Sequence, residues 1–237
     1  MKKIILPILI IFLTFIIYKV NDKNLIDYMV IGDSLNLGLN SYGNVGYGYN
    51  DYIKSYLENN QLLHQYNDLF TKENYKIEEL TSDIQNNKSL LYDDKTYTFK
   101  KELREADLVT IAIGMDELVE ILNQETEINY SNLKADLDKL CLEMDNLIKE
   151  ITSFSKTEII LIGYYNPINE ETKDIEMIFA YLNQQYENIA KKYSIIYLDI
   201  YETIKKDKNY LPNKNDYHLT SKGYLQIAKE IIKKIEE

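Results

Sequence analysis

The chain is predicted to be a doubly wound α/β domain: a three-layer sandwich on a mostly parallel, about five-stranded sheet, preceded by one N-terminal transmembrane helix. Three observations carry this. Four short apolar runs are β-branched and continuous rather than alternating, as strands buried on both faces must be. Segments of helical period lie between them, which is the alternation that builds a parallel sheet. Behind a lysine pair, residues 4–17 form an almost unbroken apolar stretch.

That first stretch sits in "MKKIILPILIIFLTFIIYKV". From Ile4 to Val20 a helix spans roughly 25 Å, and Lys2, Lys3 and Lys19 can snorkel to make up the distance to a hydrocarbon core of about 30 Å. The adjoining "YKVNDKNLI" offers no small-residue cleavage site, which favours an uncleaved signal anchor over residues 1–23; the runner-up is a cleaved signal peptide and a secreted protein. Lys2, Lys3 and the terminal amine favour a cytoplasmic N-terminus. The expected protein is thus single-pass in the cell membrane, with residues 24–237 as one domain facing outside.

The strands are expected at Tyr28 to Ile31, Leu108 to Ile113, Ile159 to Ile162 and Ile195 to Leu198, with a weaker candidate from Gln65 to Phe70. Helical period runs through Asn50 to Glu58, Glu78 to Ile84, Ser131 to Phe154, Asp174 to Lys192 and Ser221 to Ile235. The 237 residues, 45% of them hydrophobic, suffice for one well-packed domain and are too few for two large ones.

Composition excludes several function classes. A net charge of −11, spread over the helical segments, repels nucleic acid. The only cysteine, Cys141, rules out an intramolecular disulfide and a thiolate zinc cluster. It falls on the stripe Leu133, Leu137, Leu140, Cys141, Met144, Ile148 and Ile151, where it reads as a small core side chain. The 22 tyrosines read mainly as half-buried packing residues.

In open parallel sheets, ligands bind beyond the carboxyl ends of the strands. Gly32-Asp33-Ser34 comes after the first run, Gly114-Met115-Asp116-Glu117 after the second, and Gly163-Tyr164-Tyr165-Asn166-Pro167 after the third. Ser34 and Asp116 each stand two residues past a strand-ending glycine, so the sheet should bring them to one edge. A serine hydroxyl needs a base, usually histidine. Of the two histidines, His64 opens the weak strand and reads as a structural or surface residue. His218, in the polar loop "NKNDYHLTSKGY" before the last helix, is the better base. Asp216 is the charged neighbour able to fix its tautomer, and Asn215 precedes that.

These blocks resemble the GDSL-type lipases and esterases of the SGNH hydrolase superfamily, over about residues 27–237. "VIGDSL" resembles the family's first block, "IAIGMDEL" the third, and "NDYHLTSKGYLQIA" the last. The resemblance implies Ser34 as nucleophile and oxyanion donor through its backbone N–H, and His218 as base. It also marks three departures. Asp116 replaces the asparagine that would donate to the oxyanion, and would itself donate only if protonated. The second block lacks its glycine, leaving the Thr71-to-Asn74 loop, with Glu73 and Asn74, to present a backbone N–H, and Lys72 to balance a nearby carboxylate. Asn215 stands where the family has its triad aspartate, so Asp216 is taken for that role, with a Ser34–His218 dyad as the alternative.

The expected oxyanion or substrate-binding set is thus Asp116, Gly114, Glu73 and Asn74, beside the catalytic Ser34, His218 and Asp216. The expected function is an outward-facing serine esterase acting on acyl or acetyl esters, on a cell-envelope glycan or lipid. No metal or organic cofactor is implied. The alternatives are a non-catalytic member retaining the fold as a binding or scaffolding module, and an acyltransferase using the same residues.

Overall fold

The computed structural model describes residues 25–168, 171–213 and 216–237. The expected anchor, residues 1–23, lies outside the described residues, as does Asn215. No helix among the described residues is long and apolar enough to cross a membrane.

Five parallel strands form the sheet, β1 (Ile26–Gly32), β2 (Leu63–Thr71), β5 (Leu108–Ala112), β6 (Glu158–Ile162) and β7 (Ile196–Leu198), in the order β2-β1-β5-β6-β7. The apolar runs mark the strands because the central ones are covered on both faces: β5 is buried throughout, and β6 at every position but its first. Edge strand β2, "LHQYNDLFT", carries polar residues along most of its length and is only partly buried. That polar character made it the weakest strand in the sequence.

The long helices fall in two groups. On one side α1 (Tyr49–Asn59) packs against the C-terminal α8 (Ser221–Glu236). On the other, α5 (Tyr130–Thr152) touches α2 (Ile77–Gln85), α4 (Met115–Asn123) and α6 (Lys173–Tyr193). The apolar stripe of α5 is buried, Cys141 with it. Burial pushes the Cys141 thiol up to about 12, so it is inert.

Sequence periodicity missed the shorter pieces. Strands β3 (Ser89–Tyr92) and β4 (Lys95–Thr98) form an antiparallel hairpin outside the main sheet. Its two-residue turn places both Asp93 and Asp94 at positive φ, +48° and +58°. A tight hairpin requires that geometry, and aspartate tolerates it better than most residues. The short helices α3 (Phe99–Glu105) and α7 (Tyr201–Lys205) are under two turns long, too short to show a period. Helix α4 begins within the third motif, so Asp116 stands in a helical first turn rather than in a loop.

Two glycines set the edge where the site lies. Gly32 ends β1 at φ +146°, and a Cβ there would lie 1.8 Å from the Ala112 carbonyl oxygen. Gly114 precedes α4 at φ +98°, with the Tyr164 hydroxyl 2.4 Å from where a Cβ would stand. Each lets two chain segments approach more closely than a side chain would allow.

Candidate active site

Strands β1 and β5 pair in register, Gly32 beside Ala112. The turn after β1 and the start of α4 after β5 are therefore brought side by side. Past Gly32 the chain enters a short 3₁₀ segment, Ser34–Leu37, that Gly38 ends at φ +67°. Asp33 caps this turn, one carboxylate oxygen accepting the Leu35 N–H at 3.2 Å. Its other oxygen accepts the Met115 N–H at 3.3 Å, tying the turn to the start of α4. Asn36 adds a second tie, donating to the Ala112 carbonyl at 2.7 Å and to the Asp33 carbonyl at 3.1 Å. Its own amide oxygen accepts from the Tyr49 hydroxyl. Burial pushes the Asp33 carboxyl well above the usual range, and the charge of Asp116 pushes it further.

Ser34, held in this way, is 1% exposed. Its hydroxyl donates to Asp116 Oδ1 at 3.0 Å. The Tyr217 hydroxyl donates to the same oxygen and lies 3.3 Å from Ser34 Oγ. Asp116 Oδ2 is buried without a partner.

The loop before α8 carries His218, the expected base. His218 Nδ1 lies 2.6 Å from Asp216 Oδ1, which also accepts the His218 N–H at 2.9 Å. With Nδ1 facing a carboxylate, that nitrogen carries the proton and Nε2 is the free acceptor. Nε2 is buried and unpartnered. Tyr217 stacks on the His218 ring, centroids 4.2 Å apart at 30°, and its carbonyl accepts from the Tyr165 hydroxyl. Burial, and then the bond to Asp116, hold the Tyr217 phenol well above its ordinary range. It is therefore a neutral hydrogen-bond donor.

Ser34 and Asp116 meet as expected, and Asp216 pairs with His218. The Ser34 hydroxyl, however, points its proton at Asp116 rather than at His218. Gly114 contributes conformation. The turn holding Glu73 and Asn74 comes after β2, where the Lys72 N–H donates to the Gly32 carbonyl at 3.1 Å, one strand away from Ser34. Both residues are exposed, and Asn74 takes a left-handed φ of +53°. The Lys72 ammonium pairs with Glu79, away from this cluster. His64 is a surface residue paired with Asp27 at 2.6 Å. Among the described residues no group of three or more His, Cys, Asp or Glu side chains could hold a metal ion.

Sequence reasoning missed Tyr217 and Asn36. Tyr217 carried one usable signal, its place between Asp216 and His218, but stood among 22 tyrosines assigned to packing. It also borders a cavity of about 270 Å³ lined by Val119, Leu122, Asn123, Pro167, Ile168 and Asp216.

A Gly-Asp-Ser turn after the first strand of a parallel sheet and a His–Asp pair before the last helix are the arrangement found in serine hydrolases of the three-layer α/β type. The model of the GDSL-like lipase/acylhydrolase family matches residues 28–231, and the chain belongs to that family, within the SGNH hydrolase superfamily. YpmR of Bacillus subtilis strain 168, an uncharacterized protein, is 25% identical over 174 residues, 69% of this chain and 66% of that one, just under two thirds of its length. Among solved structures, the lipase Lip_vut3 from a goat rumen metagenome superposes with a TM-score of 0.73 at 18% identity, covering 88% of this chain and 96% of that one. Axe2, an acetylxylan esterase from Geobacillus stearothermophilus, does so with a TM-score of 0.64 at 17% identity, covering 91% and 97%. At such identities the structural likeness is one of fold.

Proposed function

We propose that the chain hydrolyses acyl or acetyl esters with Ser34 as nucleophile, His218 as general base and Asp216 orienting and stabilising the imidazole. One observation carries this reading. The Asp216–His218 pair leaves Nε2 buried without a partner, in the residue next to the tyrosine whose hydroxyl lies against Ser34 Oγ. An unpartnered buried acceptor is costly, on the order of 1–3 kcal/mol, and a serine hydroxyl turning to it would satisfy it.

In the reaction the Ser34 hydroxyl leaves Asp116 and gives its proton to Nε2 as Oγ attacks the ester carbonyl carbon. The carbonyl π pair moves to oxygen. The Ser34 N–H, the first of its turn and so without an intrahelical partner, is the backbone donor for that charge, with an N–H from the Glu73–Asn74 turn as its candidate second. His218 then protonates the departing alkoxide, and water releases the acyl group by the same route.

The cavity beside Asp216 and Tyr217, with Val119, Leu122, Pro167 and Ile168 on its walls, supports a short acyl group there. A signal anchor over residues 1–23 would hold the domain outside the membrane, facing glycan or lipid esters of the cell envelope. The fold neighbour Axe2 is an acetylxylan esterase, which supports acetyl esters as one class to assay. The Ser34-to-Asp116 bond favours a second reading, a non-catalytic module with its serine held by a carboxylate. Assays of residues 24–237 on nitrophenyl acetate, butyrate and octanoate separate the two. Turnover lost in Ser34→Ala and in His218→Ala is the expected result, and a wild type no faster than either variant or the uncatalysed reaction would leave only the binding module.

A further inference from the structure

We infer that the Tyr217 hydroxyl is the side-chain oxyanion donor of this site, the group that stands between the Asp116 carboxylate and the reacting carbonyl. The inference rests on the hydrolase reading above, and three observations carry it.

First, position. The phenol oxygen is 3.3 Å from Ser34 Oγ. In the tetrahedral intermediate the oxyanion is attached to the same carbon as Oγ. A donor at this distance from Oγ is within reach of the roughly 3 Å that stabilisation of an oxyanion requires, provided the carbonyl oxygen turns to its side. Second, chemistry. The third motif places at this edge a carboxylate that accepts hydrogen bonds from both Ser34 and Tyr217. An acceptor cannot hold an oxyanion, whereas the phenol already presents a proton at the same spot and keeps it, since burial disfavours the phenolate. Third, rigidity. The ring stacks on His218 at 30°, and its backbone carbonyl accepts from the Tyr165 hydroxyl, so the donor is held beside the base. Preorganisation of this kind makes a donor effective.

The step balances without a change in the protonation of Tyr217. The Oγ–C bond forms, the carbonyl π pair moves to oxygen, and the serine proton goes to His218 Nε2. The Tyr217 O–H swings from Asp116 Oδ1 to the new O⁻, and swings back when the carbonyl reforms. Substitutions separate the phenol from the carboxylate. Tyr217→Phe removes the donor and leaves the Asp116 charge facing the oxyanion. In an Asp116→Asn background the amide can donate, so loss of the phenol should matter less.

The test uses the full chain in detergent micelles, with nitrophenyl butyrate as substrate, Ser34→Ala as the blank, and melting curves for every variant. Tyr217→Phe is expected to lower kcat by about 10²- to 10³-fold with KM within about threefold of wild type and an unchanged melting curve. In Asp116→Asn the same substitution should lower kcat less than about tenfold, a coupling that a merely structural tyrosine would not produce. Tyr217→Gln, which restores a donor without the ring, should retain more kcat than Tyr217→Phe; the reverse order overturns the inference even if the ring proves necessary for folding. Tyr217→Phe turning over as fast as wild type or faster, while Ser34→Ala is dead, would mean that the phenol only obstructs the site; the hydrolase reading would then stand without it. Wild type no faster than Ser34→Ala would remove both.

Discussion

Asp116 holds two hydroxyl protons on one carboxylate oxygen and leaves its other oxygen buried and bare. Under the proposed mechanism, a residue so placed keeps Ser34 from His218 at rest and opposes negative charge where the oxyanion forms. Asp116→Asn should therefore raise kcat near neutrality, by about tenfold or more if the amide turns a donor inward; steady-state rates on short nitrophenyl esters check this, and an unchanged or lower kcat would give Asp116 some other role. The next residue carries a separate consequence. Glu117 Oε1 accepts the Ile77 N–H at 2.6 Å while Oε2 is buried without a partner. Burial lifts its pKa from 4.5 to about 7, against the lowering effects of the Ile77 N–H and Lys76 and with a smaller rise from Glu143. Its folded pKa lies above its unfolded one, so its contribution is whole below about 4.5 and is lost as pH rises through about 7, on the order of 3 kcal/mol at most. Urea unfolding at about pH 5 and about pH 8 should show that loss in wild type and much less of it in Glu117→Gln; an equal loss in both would contradict it. At this scale the sequence made the meeting of Ser34 with Asp116 and the pairing of Asp216 with His218 legible, because each sits at a strand or helix end. Tyr217 was not legible, since only the meeting of two loops 183 residues apart brings it to Ser34.

The elements that matter most are β1, the turn after it, and α4. Asp33 ties the turn to α4 through the Met115 N–H, Asn36 ties it to β5 through the Ala112 carbonyl, and Gly32 lets β1 and β5 close at that point. Gly32→Ala places a Cβ 1.8 Å from backbone that cannot turn aside. Strain and overpacking together should reach about 3 kcal/mol or more. The denaturation midpoint should fall accordingly, and a midpoint like that of wild type would show that the turn does not depend on this approach. The sheet was readable because its central strands are covered on both faces and so appear as unbroken β-branched runs. The hairpin was not, because β3 and β4 lie outside the sheet and leave Leu91 and Tyr92 exposed. Nothing buried imposed an alternation on them. Helix α4 was concealed for another reason, its first turn being the motif itself.

On the scale of the whole molecule, one core unites the sheet with both helical layers, and the His–Asp loop leads into α8, which packs back against α1. Residues 24–237 should therefore fold without the apolar N-terminal segment, in a single cooperative transition by circular dichroism, and a non-cooperative melt would argue that the segment is part of the fold. The proposed anchor is tested separately: full-length protein should sediment with membranes and resist carbonate extraction, whereas recovery in the medium would favour a cleaved leader. Both concern where the chemistry happens. Whether it happens at all rests on Ser34, and the most direct measurement is covalent labelling. The protein is incubated with a fluorophosphonate at neutral pH and the modified peptide mapped by mass spectrometry. The expected result is one label, on Ser34, abolished by Ser34→Ala and slowed by His218→Ala; absence of label at every pH, or a label on another serine, would contradict the assignment of Ser34 as the nucleophile.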